Sequence, residues 1–406
     1  MALDRKKILV LAPRLPYPKI GGDRLRLHGL CTVLSQHFDL TLLSLCEDEE
    51  QFQMPVPADG IFSRIERVRL PRHRSYLNTL LALPQSKPLQ IAYYQSDEFA
   101  TRLAELLPGH DLVFAHLIRT GDYVRHLNHP KVLEMTDAVA LKYERVRESG
   151  AELGLMMSHV YSVEATRLKA YEKSIVADFD CSVLVSDVDK NYLLDGNGVD
   201  ASRLLICSNG IDTNELPHQF APDGRTIVFI GNMTSLQNLD GAWHFIHDIL
   251  PLVRRELPEA GFKIVGRIDH ADAARLESVD GVSVTRQVES IAEATRGASV
   301  GVCSIRFGAG IQNKVLEYMA LGIPVVTSTI GYEGLEAIPG TDLVVADQPE
   351  AVAASCIDLL TRRDRAERLA CAARRYVETR HDWQENLAPL VQRLHQILAQ
   401  RSGRQA

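Results

Sequence analysis

Residues 299–329, SVGVCSIRFGAGIQNKVLEYMALGIPVVTST, hold the densest set of chemically capable groups in this 406-residue chain. Their order reads as buried strand (300–304), glycine-rich loop, helix (311–320), glycine stop and second buried strand (324–328). Gly308 and Gly310 sit where strand hands over to helix. Glycines there let the backbone approach a ligand, and the unpaired N–H groups of a helix start carry partial positive charge, so the corner is an anion site. Lys314 falls in the first turn and Glu317 three residues later, projecting toward nearly the same side. A lysine can neutralise phosphate, and an ionised glutamate can accept hydrogen bonds from a ribose diol. Arg306 supplies a second cation beside the loop. The competing reading is an ordinary surface ion pair on an ordinary helix.

Other candidates stand after earlier strands. His116 follows a strand at 112–114 and Asp137 follows one at 132–135, and the C-terminal ends of strands in open α/β sheets are where ligands gather. Each has a plainer reading, a solvated loop histidine and a helix N-cap. Arg24 and Arg26 open the first helix, either to bind acceptor or phosphate or as exposed helix charges. His244 and His247 lack a carboxylate-bearing metal motif nearby, so no metal site is expected there. Arg64, Arg67, Arg69, Arg72 and Arg74, spaced near two, would line one side of an extended strand, as a solvated edge or as a surface approaching anionic lipid.

The elements that must position these residues follow a βαβ rhythm along the whole chain, with parallel sheets buried on both faces. Strands are expected at 7–11, 39–45, 65–70, 112–114, 132–135 and 182–185, with a first helix at 23–37. The pattern restarts near residue 200, with strands at 203–207, 226–230, 262–265, 282–285, 300–304 and 324–328. Helices are expected at 238–255, 290–296 and 311–320. This predicts an α/β protein of two Rossmann-like doubly wound domains, 1–200 and 201–381, with a last helix (382–400) packing back on the first.

Composition narrows the function. At 46% apolar and 24% charged residues the chain is ordinary globular material, and a net charge of −7 argues against a dedicated nucleic-acid binder. The seven cysteines are scattered with no C-x-x-C pair and read as buried thiols. The N-terminal apolar run is too short for a signal peptide, and no stretch approaches the roughly eighteen apolar residues of a membrane span. A cytoplasmic protein is expected, with peripheral contact at the inner membrane face as the further option.

FGAGIQNKVLEYMALGIPVVTSTIGYEGL resembles the nucleotide-sugar-binding signature of retaining glycosyltransferases of family 4, also called group 1. PRLPYPKIGGDRLRLHGL is similar to the family's first glycine-rich loop, LICSNGID to its linker-proximal turn, and FIGNMTSLQNLDG to the phosphate loop of its second domain. The resemblance implies a GT-B fold, two Rossmann-like domains across a cleft, and a nucleoside diphosphate-sugar donor of UDP or GDP type. It implies a sugar, lipid-linked or glycan acceptor, retention at the anomeric carbon, and no metal or other cofactor. Gly21 and Gly22 would lie under the donor phosphates, His116 would touch the donor sugar, and the second domain would bind the nucleotide. Exopolysaccharide and exosortase-associated sugar transferases are the branch it most resembles.

Two departures bear on the site. The family's paired glutamates, with seven residues between them, appear here as Ala309 and Glu317. Its phosphate-loop arginine and lysine appear as Asn232 and, approximately, Asn238, which shifts phosphate charge onto Lys314, Arg306 and the helix start. An inactive nucleotide-sugar-binding scaffold and a nucleotide-sugar epimerase of the same shape are the rival readings.

Overall fold

The computed structural model describes residues 5–149, 155–196 and 198–405, so the first four residues of the N-terminal run read above lie outside it. The chain divides into two compact units. One holds the residues up to Arg147, those leading to Ser208 and those from Trp383 onward; the other is built on Asn209–Asp382.

The first unit carries seven parallel strands: β1 (Lys7–Ala12), β2 (Asp39–Cys46), β3 (Arg64–Arg69), β4 (Leu112–His116), β5 (Lys131–Thr136), β6 (Cys181–Leu184) and β7 (Leu204–Ile206). Their order is β3-β2-β1-β4-β5-β6-β7. Both faces of β1 are buried, so its apolar run is continuous: Ile8 and Val10 meet Leu30, Leu34, Leu387 and Leu390, while Leu9 and Leu11 join the core of Phe99, Leu103 and Ile175. The last helix, Trp383–Gln405, packs against helix Gly22–Leu34. A Cβ on Gly29 would fall 2.5 Å from the Trp383 ring, so glycine is what lets the indole lie on that helix backbone.

The second unit has six parallel strands: β8 (Thr226–Ile230), β9 (Gly261–Val265), β10 (Val282–Val284), β11 (Val300–Cys303), β12 (Val325–Thr327) and β13 (Val344–Val345). They run in the order β10-β9-β8-β11-β12-β13. Tyr318 passes beneath this sheet against Gly301, and its hydroxyl accepts from Ile230 N at 2.6 Å and lies 3.1 Å from Val302 O. That side chain ties the helix of the glycine-rich segment to β8 and β11 together. Each sheet therefore reverses its winding once, between β1 and β4 and between β8 and β11, and ligands of doubly wound sheets bind at the carboxyl ends of such strand pairs.

Two sequence expectations are corrected here. The five arginines do not share a strand: β3 ends at Arg69, the chain turns at Pro71 (φ −60°), and Arg72 and Arg74 open a helix, Arg72–Ala82. Proline fixes φ and donates nothing to a ladder, so extended pairing stops there. The helix expected over 238–255 is three pieces, Leu236–His244, a π-helical turn Phe245–Ile249 and Leu250–Glu256. Pro251 lacks the N–H that a continuous α-helix would need, and the widened turn accommodates it.

Candidate functional site

At the β8/β11 switch point the loops after both strands meet the start of helix Asn313–Leu321. Three close approaches shape them. Gly266, at φ +138°, lies so near Gly231 that an added Cβ would stand 2.1 Å from Gly231 O, and a Cβ on Gly231 would stand 3.0 Å from Asn238 Nδ2. Gly241 brings helix Leu236–His244 against the Ser304–Ile305 backbone, where Ser304 Oγ donates to Gly241 O at 2.9 Å. In the glycine-rich loop, Gly310 takes φ +67°, a left-handed conformation that favours glycine. A Cβ on Gly308 would meet nothing nearer than 3.4 Å, so the protein itself does not require glycine there.

Lys314 and Glu317 are not a surface ion pair. They are only 6% and 7% exposed. The Lys314 ammonium donates to Asn238 Oδ1 at 3.0 Å and Gln312 Oε1 at 3.1 Å, and lies 5.5 Å from the centre of the Phe229 ring. Its partners are thus neutral acceptors and an aromatic face, with no carboxylate in ion-pair contact among the described residues. Burial pushes the Glu317 carboxyl up to about 7, against the lowering influence of the nearby Lys314 charge. Keeping a cation and a carboxyl buried without mutual pairing is costly unless a ligand completes the site.

Asn232, Asn238 and Arg306 stand in the loops and helix beside that pair. Asn238 Nδ2 donates to Asn232 O at 3.0 Å, so one amide links the loop after β8 to the lysine. The Asn232 side chain is turned to its own loop, accepting from Thr234 N and Oγ1 at 3.2 and 2.8 Å. Arg306 is exposed and bound by Asp240 through Nε and Nη2 at 2.9 and 2.5 Å. Lys314 is therefore the interior cation at this corner, and Arg306 is already matched by a carboxylate.

The first unit forms a second constellation at the β1/β4 switch point. Register places His116 opposite Glu134 on neighbouring strands, and His116 Nδ1 lies 2.5 Å from Glu134 Oε2. The other carboxylate oxygen accepts from Arg26 Nε at 2.7 Å, and Arg26 also donates to Cys207 O at 3.0 Å. All three side chains are buried. Burial by itself would raise the Glu134 carboxyl, but Arg26 and His116 together hold it down at about 2. An ionised carboxylate only accepts, so Nδ1 carries a proton toward Glu134 and Nε2 is the ring nitrogen left to face a ligand.

Arg26 is thus no exposed acceptor-binding group, as its place at the helix start suggested; its guanidinium is spent inside the unit on Glu134. Arg24 and His116 do come together, lining a small recess with Pro13, Arg14, Asp23 and Leu27. Gly21, at φ +100°, caps helix Gly22–Leu34 without a side-chain acceptor, so backbone amides form that helix start. Asp137 is partly buried, and burial, with Asp189 nearby, raises its carboxyl to about 6. It does not cap the helix that follows: Asp189 accepts from Ala138 N, and Glu172 from Val139 N and Ala140 N. Two strained residues flank these candidates, Leu117 directly after His116 and Thr136 directly before Asp137, both at φ +66°.

Sequence reasoning missed Glu134, Asn238 as the holder of Lys314, and Gln312. A charged residue inside the apolar strand VLEMT was the available signal for Glu134. No group of metal-ligating side chains occurs among the described residues, His244 pairing with Asp248 and His247 stacking on Trp243.

Comparison with known proteins agrees with this architecture. Residues 224–362 match the family described as glycosyl transferases group 1. A Klebsiella pneumoniae protein described as an uncharacterized 44.6 kDa protein in the cps region is 24% identical over 164 residues, covering 38% of this chain and 42% of that protein. Among solved structures, sucrose-phosphate synthase from Thermosynechococcus elongatus superposes with a TM-score of 0.73 at 17% identity, over 97% of this chain and all of that one. Anabaena HepE in complex with UDP and glucose gives 0.67 at 13%, over 96% and 100%. Trehalose 6-phosphate synthase from Burkholderia multivorans gives 0.64 at 13%, over 99% of each. At such identities these structural likenesses establish the fold alone. The group 1 match falls on the second sheet, and both sheets are parallel and doubly wound, so the chain has a GT-B fold whose second unit is similar to the group 1 glycosyltransferases.

Proposed function

We propose that the chain transfers a sugar from a nucleoside diphosphate-sugar to an acceptor, with Lys314 and the amides of the 308–312 loop receiving the diphosphate and Glu317 receiving the ribose hydroxyls. The observation that carries this reading is the buried Lys314 ammonium, which donates to the neutral acceptors Asn238 and Gln312 and meets no carboxylate in ion-pair contact among the described residues. As the anomeric bond breaks, negative charge grows on the leaving diphosphate, and a fixed ammonium and helix-start amides stabilise it where water is excluded. Gly308, which the protein does not itself need as glycine, leaves room for that close approach.

On the other unit, His116 Nε2 faces the sugar or acceptor, fixed in its tautomer by Glu134. Asp137 and Arg24 are further contacts, with Gly21 and Gly22 giving backbone amides to phosphate. Local strain at Leu117 and Thr136 supports a functional role for their neighbours, because strained backbone persists where the surroundings impose it. The transfer proceeds with retention and without metal. A UDP donor, and a place in surface polysaccharide or glycolipid assembly with a sugar, lipid-linked or glycan acceptor, are favoured by the HepE complex and by the relative from a cps region. Titration calorimetry with UDP and GDP, followed by donor consumption against acceptor pools, tests the proposal. Absence of binding by either nucleotide removes it.

One observation favours a second reading. Ala309 is buried and puts a methyl where the family's first glutamate stands. A binding scaffold without turnover would show tight nucleotide affinity and no glycosylated product from any acceptor pool.

A further inference from the structure

Helix Arg72–Ala82 is built with its polarity reversed. The face turned inward carries small or polar side chains: Ser75 and Ala82 are buried, and Asn78 Nδ2 donates to Gln95 O at 2.9 Å. The face turned to solvent carries Tyr76, Leu77, Leu80 and Leu81, exposed to 61%, 54%, 62% and 62%, with Leu83 following at 47%. A surface helix of a globular domain places its large apolar residues the other way. These five account for most of the exposed large hydrophobics among the described residues, gathered on one short stretch of chain, whereas scattered single ones would need no explanation.

Charge identifies the occupant. Arg72 and His73 stand four residues before Tyr76 and Leu77, on the same face and one turn earlier. The Arg72 and Arg74 side chains are each 57% exposed, with only loose contacts of 3.6 Å to Glu47 and Asp97. The sequence from Leu70 to Ser96 contains no aspartate or glutamate. An apolar strip bordered by cations that can reach past it is the arrangement of a helix lying in a membrane interface, its leucines among acyl chains and its basic groups at anionic headgroups.

We propose that this helix docks the protein on an anionic lipid surface by inserting Tyr76, Leu77, Leu80 and Leu81. The proposal is independent of the sugar-transfer reading, since the helix holds none of the residues assigned to nucleotide and lipid binding is measured without it. The full chain is sedimented with vesicles of phosphatidylcholine plus phosphatidylglycerol and with phosphatidylcholine alone, and a Tyr76→Trp variant reports insertion by fluorescence. Expected are co-sedimentation with the anionic vesicles, a blue shift in the emission of the introduced indole, and at least about tenfold weaker binding for Leu77→Ser/Leu80→Ser/Leu81→Ser. Arg72→Gln/Arg74→Gln should weaken binding to anionic vesicles and flatten its salt dependence. Because the substituted leucines are exposed, thermal unfolding and far-UV circular dichroism should match the parent protein, which separates loss of docking from loss of fold. No sedimentation above the lipid-free control, or equal sedimentation of the triple variant, overturns the proposal. So does a dimer in gel filtration that the triple variant dissolves without any lipid binding, which would make the face a contact between copies.

Discussion

The Asn238 side-chain oxygen lies 3.0 Å from the Lys314 ammonium, and the nitrogen of the same amide reaches Asn232 O, so one neutral side chain fixes a buried cation to the loop after β8. Neutral acceptors orient the lysine without cancelling its charge, which leaves it available to an anion. A carboxylate at the same place would have closed the site with an internal ion pair.

Removing that charge should separate binding from stability. Lys314→Met keeps the apolar stem beside Phe229 and removes a desolvated ammonium, so thermal stability should hold or rise. Affinity for UDP should fall by roughly 2–4 kcal/mol, the usual cost of truncating a buried charged partner of a ligand. Calorimetry and thermal melting on the same variant check both halves, and unchanged affinity removes Lys314 from the site.

If Glu317 receives the ribose hydroxyls, donor binding is pH-dependent. Its carboxyl titrates near 7, and only the ionised form accepts from a ribose diol, so UDP-glucose affinity should strengthen as pH rises through that value. A UDP-sugar is the right probe, because unlike UDP it has no secondary phosphate ionisation in that range. Stability runs the opposite way: the folded pKa lies above the unfolded value, so ionisation is disfavoured in the fold, and stability declines from about pH 4.5 to about pH 7 and then levels. Glu317→Gln should remove both trends, melting higher than the parent at pH 8 while binding UDP-glucose more weakly.

Much of this frame was legible because buried parallel strands announce themselves as apolar runs. The strand Thr226–Ile230 and the strand–loop–helix order around Gly310 follow directly from the residues. What was not legible depends on partners distant in sequence. Arg26 reads as an exposed helix-start charge until β5 brings Glu134 beneath it, 108 residues away. Asn238 reads as a lost phosphate ligand until helix Asn313–Leu321 presents Lys314 to it, 76 residues away. The helix Arg72–Ala82 is hidden for a different reason: Arg72 and Arg74 continue the near-two spacing of β3 as though on one strand, and only the fold shows that a helix begins there with Ser75 and Ala82 on the inside.

Turnover should survive chelation. In the proposed reaction the charge on the departing diphosphate falls to Lys314 and backbone amides, which stabilise it without a metal. Initial rates in EDTA should equal those in buffer. A complete loss restored by magnesium or manganese would contradict the proposed role of the lysine.

The Arg26–Glu134–His116 chain should govern both the acid stability of the first unit and the orientation of the imidazole. The folded Glu134 pKa of about 2 lies below its unfolded value near 4.5, so the carboxylate stabilises the fold above pH 4.5 and that contribution, about 3 kcal/mol, is lost as pH falls toward 2. Arg26→Met strands a buried carboxylate and should cost about 3–5 kcal/mol at pH 7. Adding Glu134→Gln should recover much of it, because the group left unpaired is then neutral. Glu134→Gln alone offers His116 Nδ1 either an oxygen or an amide N–H, so the tautomer is no longer fixed. If Nε2 faces the sugar or acceptor, this variant loses turnover while keeping UDP affinity, since Lys314 and Glu317 belong to the other unit and the Gly21 and Gly22 amides are untouched. Urea titrations across pH for the two single variants and the double, with turnover measured beside them, distinguish a packing pair from one that also sets the histidine; equal turnover of Glu134→Gln and the parent would leave the chain a stabilising contact alone.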